Sequence, residues 1–285
     1  MQPKKFGLIG HPVGHSLSAV MQNRVFRELN LPHTYEAFDI LPENLEQFIK
    51  GTDLSGANVT IPHKVEAMDL VDELDQSAKD IKAVNTIEFP SNRQPTTDNR
   101  PPIGIVGHNT DSYGFSHSLE EEDIILEEKN VLVIGAGGAS RAILVSLINN
   151  KANVTLTNRT KQKAEDLVKE LSLQDQVEIV DYQLLTTNNQ LPEVDIIVNT
   201  TSLGMTPKVE TTPIPKDLLK PNHIIFDVVY NPLETQLIKD AKSIGCKTIS
   251  GVNMLVHQGA QSLRIWLGIE PPTEIMKEVV LESLI

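Results

Sequence analysis

A chain of 285 residues with 40% hydrophobic and 22% charged residues can form two ordinary domains around a large core. Its formal net charge of −13 argues against nucleic acid as a partner, since neutralising phosphates takes clustered basic side chains. A single cysteine, Cys246, excludes an internal disulfide framework. With no signal-peptide core behind Met1-Gln2-Pro3-Lys4-Lys5, a cytoplasmic location is expected.

The first part of the chain alternates strands and helices. Strands are predicted over Phe6 to Ile9, Thr34 to Ile40 and Leu54 to Thr60, with helices over Ser18 to Leu29 and Pro42 to Ile49. Two short helices are expected next, Pro62 to Val71 and Asp75 to Lys82. Strands follow over Val84 to Phe89 and Ile103 to Val106, separated by a polar, proline-rich loop, Pro90 to Pro102. A helix starts at Asp111, and Glu120 to Glu128 reads as a solvated acidic connector.

From Asn130 the pattern changes. Val131 to Ile134 is a β-branched apolar run, fit for a strand buried on both faces. It breaks at Gly135-Ala136-Gly137-Gly138-Ala139. Helical spacing follows through Ala142, Ile143, Val145, Leu147 and Ile148, and then a second strand, Val154 to Thr157. Strand, glycine turn, helix and strand within about thirty residues is the dinucleotide-binding unit. Ser140 stands where the common fingerprint has its third glycine. Further strands are predicted at Val177 to Val180, Asp195 to Asn199, Ile224 to Val228 and Lys247 to Ser250. Helices close the chain at Asn253 to Leu267 and Pro272 to Leu284. The fold class is therefore α/β with two domains and a helical C-terminus.

The end of the second strand of the unit indicates which dinucleotide binds. An NAD site places an Asp or Glu there for the ribose hydroxyls. Here Asn158, Arg159 and Thr160 are followed by Lys161 and Lys163, with no carboxylate before Glu165. Basic residues at a helix N-terminus oppose the macrodipole, so the 2′-phosphate of NADP gives them a reason that a solvated helix start does not.

Polar residues also gather at strand ends elsewhere. Ser16 and Ser18 precede a helix, where hydroxyls and free N–H groups suit a carboxylate, although Ser18 alone reads as an N-cap. Thr60 and Lys64 lie at a strand-to-helix junction. A lysine there binds an anion, serves as an acid/base or is merely solvated. Asn85 and Asp111 add an amide and a carboxylate at further element ends, and Asp111 alone reads as a helix cap. His11, His15, His63 and His108 lack metal-ligand spacing, so no metal is assigned.

Taken together these motifs resemble the shikimate dehydrogenase family over nearly the whole chain. In family order they are Ser16-Leu17-Ser18, Asn58-Val59-Thr60-x-Pro62-x-Lys64, Ala83-Val84-Asn85-Thr86 and Gly107-x-Asn109-Thr110-Asp111-x-x-Gly114. They continue through the glycine turn, Asn158-Arg159-Thr160, Asn199-Thr200-Thr201-Ser202-x-Gly204-Met205 and Asp227-x-x-Tyr230-x-Pro232, and end at Gly251-x-x-Met254-Leu255-x-x-Gln258. Gln22 departs from the family, which commonly has His there.

The resemblance implies reversible hydride transfer between NADPH and 3-dehydroshikimate, giving shikimate. It makes Ser16 and Ser18, with Tyr230 nearby, the carboxylate site, and Thr60, Asn85 and Gln258 the ring-hydroxyl site. Lys64 and Asp111 form the acid/base pair at the reacting oxygen. NADP falls to Gly135, Ala136, Gly137, Gly138, Ala139, Asn158, Arg159, Thr160, Lys163 and Thr200, with Val228 and Gly251 flanking the nicotinamide.

By the same resemblance residues 1–112, completed by 252–285, form the substrate domain and 113–251 the Rossmann-type NADP domain, with catalysis in a cleft between them. Monomer and homodimer both fit. The competing readings are a quinate/shikimate dehydrogenase of broader substrate or NAD use, and a non-catalytic NADP- or shikimate-binding regulator. The regulator would be expected to lose Lys64 or Asp111, and both are present.

Overall fold

A computed structural model describes residues 2–90, 104–187 and 191–285. The chain divides into two compact units, Met1–Thr110 with Gln258–Ser283, and Asp111–His257 with Leu284–Ile285.

In the first unit β1 (Lys5–Gly10) leads through α1 (Ser18–Glu28) to β2 (Thr34–Asp39). A 3₁₀ turn at Pro42–Asn44 opens α2 (Leu45–Gly51), and β3 (Gly56–Val59), β4 (Glu73–Leu74), α3 (Gln76–Ile81), β5 (Thr86–Glu88) and β6 (Val106–His108) follow. The sheet order is β2-β1-β3-β5-β6-β4. β1 runs parallel to β2 and β3, whereas β5 runs antiparallel to β3 and β6, so the sheet is mixed. Ile9, Leu45, Ile49, Val59, Val84 and Ile87 are buried in one cluster. Each such side chain contributes roughly 1.5–3 kcal/mol by leaving water.

Two expectations change here. The helix expected over Pro62 to Val71 is a run of turns closing into a 3₁₀ helix at Glu66–Leu70. His63 is fully buried and hydrogen bonds Ile40 O at 2.7 Å, while Ile61 and Val65 stay exposed. That tertiary anchor sets the backbone where helix propensity does not. The last strand lies at Val106–His108 rather than Ile103 to Val106, because it pairs in register with Thr86–Glu88. Ile103 and most of the expected proline-rich loop, 91–102, lie outside the described residues. β4, two residues long, was not expected from the sequence and exists through its pairing with β6.

The second unit starts with α4 (Asp111–Glu120) and β7 (Asn130–Ile134). It continues with α5 (Gly138–Asn149), β8 (Asn153–Asn158), α6 (Lys161–Glu170), β9 (Val177–Asp181), α7 (Tyr182–Thr186), β10 (Ile196–Asn199), β11 (Ile224–Asp227), α8 (Gln236–Ile244) and β12 (Lys247–Ser250). The order β12-β11-β10-β7-β8-β9 is parallel throughout. This is the doubly wound arrangement, with its direction of winding reversing between β7 and β10. Val131 to Ile134 and Ile196 to Val198 are buried, as apolar strands covered on both faces must be.

The chain returns through α9 (Gly251–Leu267) and α10 (Thr273–Glu282), and the boundary between units falls within α9, between His257 and Gln258. Near the end of α9, Trp266 stacks on Phe6 at 5.0 Å, and its indole N–H donates to Ile87 O at 3.0 Å. No helix among the described residues is long and apolar enough to cross a membrane.

Candidate active site

The glycine turn follows β7 at the point where the winding reverses, which is where ligands bind in such sheets. Gly135 has φ +117°, and a Cβ there would fall 2.5 Å from Thr200 Oγ1, so only glycine fits. Gly137 differs. Its φ is −106°, it is exposed, and a Cβ there would meet nothing within 4 Å. Open space beside backbone N–H groups at the start of a twelve-residue helix is a cradle that fits a pyrophosphate.

Ser140 replaces the third glycine by fastening the turn. Its hydroxyl accepts the Gly137 N–H at 3.0 Å, donates to Gly135 O at 2.8 Å and meets Thr200 Oγ1 at 2.7 Å. Thr200 in turn donates to Ile134 O at 2.9 Å, so the exit of β10 is tied to the exit of β7.

β8 ends at Asn158, whose amide donates to Thr160 O at 2.8 Å. Arg159 and Thr160 are exposed, and the first turn of α6 carries no acidic residue. Arg159 is near Tyr182: burial pushes that phenol's pKa up, and the guanidinium pulls it back. Lys161 pairs with Glu165 at 3.7 Å, and Lys163 is exposed. A cationic strand end without a carboxylate of its own fits a 2′-phosphate and lacks the acidic residue that takes the ribose hydroxyls in an NAD site.

In the first unit, α1 begins at Ser18, so Ser18 is not the N-cap its sequence suggested. Leu17 holds that position without a side-chain cap, and the Ser16 hydroxyl takes the Ser18 N–H at 3.3 Å. The two hydroxyls lie 3.2 Å apart. Thr60 is tied to the exit of β1 by its N–H to Ile9 O at 2.9 Å. The carbonyl of Lys64 accepts the Val84 N–H at 2.7 Å, which sets the lysine backbone beside the segment carrying Asn85. Asn85 itself is 2% exposed. Its side-chain oxygen accepts the Thr110 N–H at 2.7 Å, and its amide donates to Thr110 Oγ1 at 3.0 Å.

A buried network surrounds Asn85. The Asn58 amide donates to Thr86 Oγ1 at 3.0 Å and Ser262 Oγ at 2.8 Å, and Tyr35 donates to Asn58 Oδ1 at 2.8 Å. Burial drives the Tyr35 phenol above its usual pKa, which keeps it a donor. Ser262 lies one helical turn beyond Gln258 and bonds its carbonyl at 3.0 Å. Gln22, where the family pattern has His, is fully buried and donates to Gly259 O at 3.0 Å, tying α1 to α9 next to Gln258.

The residues before Asp111 are held one by one. His108 donates to Asp75 at 2.9 Å, the Asn109 N–H to Ser77 Oγ at 2.8 Å, and the Thr110 N–H to Asn85. Burial would raise the Asp75 pKa, but hydrogen bonds from His108, the Ala78 N–H and Ser77 outweigh it and hold the carboxyl below its usual range. Asp111, 5% exposed, is the first residue of α4. Tyr230 lies in the second unit, three residues past the end of β11, and is half-buried.

Sequence reasoning assigned no role to Ser262, Asp75, Ser77 or Gln22. The helical spacing of Ser262 from Gln258 was a usable signal. The Asp75–His108 pairing had none, because 33 residues separate the two.

These features define a two-unit α/β protein of the dinucleotide-binding class. Residues 8–87 match the shikimate dehydrogenase substrate binding domain, residues 119–229 the shikimate / quinate 5-dehydrogenase family, and residues 251–281 the shikimate 5′-dehydrogenase C-terminal domain. A shikimate dehydrogenase (NADP(+)) of Methanocaldococcus jannaschii is 41% identical, over 99% of this chain and 97% of its own. The chain belongs to the shikimate dehydrogenase family. Among solved structures, a shikimate dehydrogenase in complex with NADP+ superposes with a TM-score of 0.88 at 40% identity, covering 99% of this chain and 96% of that one. The Thermus thermophilus enzyme, solved with NADP(H) and shikimate, gives 0.84 at 32% identity, with 99% and 100% covered.

Proposed function

We propose that the protein is an NADP-dependent shikimate dehydrogenase, interconverting shikimate and 3-dehydroshikimate in the cytoplasm as a step towards aromatic amino acids. Full-length similarity to a shikimate dehydrogenase (NADP(+)), with the family's polar residues present at every motif, carries this reading. The substrate domain is 1–112 completed by 252–285, and the NADP domain is 113–251. Its partners are small molecules, with no nucleic acid or membrane among them, and it works as a monomer or homodimer.

Gly135 to Ala139, with Thr200, hold the pyrophosphate end of NADP. Asn158, Arg159, Thr160 and Lys163 hold its 2′-phosphate, and Val228 and Gly251 flank its nicotinamide. Bound there, the cofactor would supply a hydride acceptor as NADP+ for alcohol oxidation and a hydride donor as NADPH for ketone reduction. Ser16, Ser18 and Tyr230 bind the substrate carboxylate, and Thr60, Asn85 and Gln258 orient the ring hydroxyls. Oxidation of a secondary alcohol releases the hydroxyl proton as hydride leaves carbon, so the site needs a positioned base, and the same group returns the proton in reduction. Lys64 is that acid/base and Asp111 its partner.

The test is nicotinamide reduction by the purified protein, with shikimate or quinate crossed against NADP or NAD. The expected result is much the largest kcat/KM for shikimate with NADP. Comparable rates with quinate or NAD would move the protein to the broader quinate/shikimate class, and no turnover with NADP still bound would favour a regulator.

A further inference from the structure

Asp227 closes β11 and is completely buried, yet touches no charged side chain in the hydrogen-bond network around it. One oxygen accepts the Asn199 amide at 2.9 Å and the Val229 N–H at 3.1 Å, and the other accepts the Thr235 hydroxyl at 2.6 Å. The donors come from β10, the exit of β11 and the N-cap of α8, and all three are neutral. Two of the donor residues are held by further bonds. Asn199 Oδ1 accepts the Thr201 N–H and hydroxyl at 3.0 and 2.7 Å, and Thr235 accepts the Ile238 N–H at 3.3 Å.

These bonds fix the peptide units on either side of Val228. The Val228 N–H donates to Asn199 O at 3.0 Å, and the next N–H goes to the Asp227 carboxylate. Behind it, Gly251 backs directly onto the Val228 carbonyl, for a Cβ there would fall 2.2 Å from Val228 O. From Asn199 the chain passes to Thr200, whose hydroxyl reaches the glycine turn through Ser140. A continuous brace therefore joins the pyrophosphate turn to the exit of β11.

We infer that Asp227 is a positioning residue, whose buried carboxylate sets the Val228 peptide against the nicotinamide end of the dinucleotide. The inference rests on the NADP reading above. Three protein donors already converge on the carboxylate, so it acts by holding Val228 rather than by touching the ligand. Burial pushes its pKa up to about 6, with the bonds from Thr235, Val229 and Asn199 pulling the other way. Protonation replaces an acceptor by a donor facing Thr235 or the Asn199 and Val229 pair, which loosens the brace in acid.

The test compares wild type with Asp227→Asn, an isosteric copy of the protonated state. Three readouts are needed: affinity for adenosine 2′,5′-bisphosphate, which lacks the nicotinamide; emission of bound NADPH; and the pH profile of kcat. Asp227→Asn should bind the bisphosphate as wild type does, change the NADPH emission, and lose up to about 10²-fold in kcat, the cost of a misplaced reacting group. Its kcat should also lose the acid limb near the wild-type ionisation. If Asp227→Asn folds poorly, Thr235→Val, which removes one donor, should shift emission and kcat in the same direction, with Thr235→Ser restoring both. Unchanged emission and kcat, or equal loss of bisphosphate and NADPH binding, would overturn the inference. A wild type that binds NADPH without turnover refutes the functional reading alone, since emission and bisphosphate affinity still decide the role of Asp227.

Discussion

Asn58 and Ser262, 204 residues apart in sequence, are joined by a 2.8 Å hydrogen bond at the centre of the first unit. Ser262 also meets Thr86 Oγ1 at 3.0 Å, so Ser262→Ala leaves two buried groups each short of a partner. Both keep other partners, so the cost is that of a net hydrogen bond, about 0.5–1.5 kcal/mol, and denaturant unfolding should show a loss of that order. Because the same network holds Asn85 and the turn of α9 with Gln258, the KM for shikimate should rise while NADP affinity stays put. An unchanged shikimate KM would make the network purely structural.

Two glycines of one turn should separate fold from ligand. Gly135→Ala places a Cβ 2.5 Å from Thr200 Oγ1 at φ +117° and should lower the melting temperature markedly. Gly137→Ala meets nothing within 4 Å, so its melting temperature without ligand should match wild type. Its NADP affinity should fall, because the methyl enters the phosphate cradle. Intact affinity in Gly137→Ala would remove the pyrophosphate from this turn.

Lys64→Ala should lower kcat by roughly 10²–10⁴-fold, the usual worth of a general acid/base. Steady-state assay with saturating shikimate and NADP measures it directly. A near-unchanged kcat would sink the assignment.

Arg159→Ala should weaken NADP by roughly 10–150-fold, equivalent to a charge-assisted bond of about 1.5–3 kcal/mol. NAD, which lacks the 2′-phosphate, should be little affected. Titration of both nucleotides decides it, and equal losses would contradict the role.

Asp227 gives stability a pH dependence of definite sign. Its carboxyl is raised from 3.8 to about 6 in the folded protein, so the native state holds the proton more tightly than the unfolded chain. Its contribution is fully present below the unfolded value and is lost as pH rises through the folded one, by about 3 kcal/mol in all. Relative to Asp227→Asn, which keeps the protonated form's neutrality, wild type should lose stability by that order as pH rises from acid to neutral. A difference flat with pH would mean an unshifted group. Asp75 works oppositely, losing its contribution as pH falls, which is why the comparison must be made against the variant.

Much of the nucleotide unit was legible in sequence because its determinants are local. A β-branched run, a glycine turn and helical spacing follow one another within thirty residues, and β7, α5 and β8 fall where that pattern put them. The Arg159 end of β8 was readable for the same reason, as an absence of carboxylate at a fixed place. Pro62 to Val71 misled because its backbone follows the buried His63 ring rather than helix propensity. Ser18 misled because the Ser16 hydroxyl, not its own, serves the first turn of α1.

The sequence by itself determined the fold class, the glycine turn and the identity of the polar residues at the strand ends. Apolar periodicity and backbone permissiveness act over a few residues and are written in order along the chain. Only the tertiary structure decided how those polar residues are held: Asn58 by Ser262, His108 by Asp75, Asn199 by Asp227. Such bonds join residues tens to hundreds of positions apart. A buried polar group must find its partner wherever the folded backbone brings one, and linear spacing carries no record of that meeting.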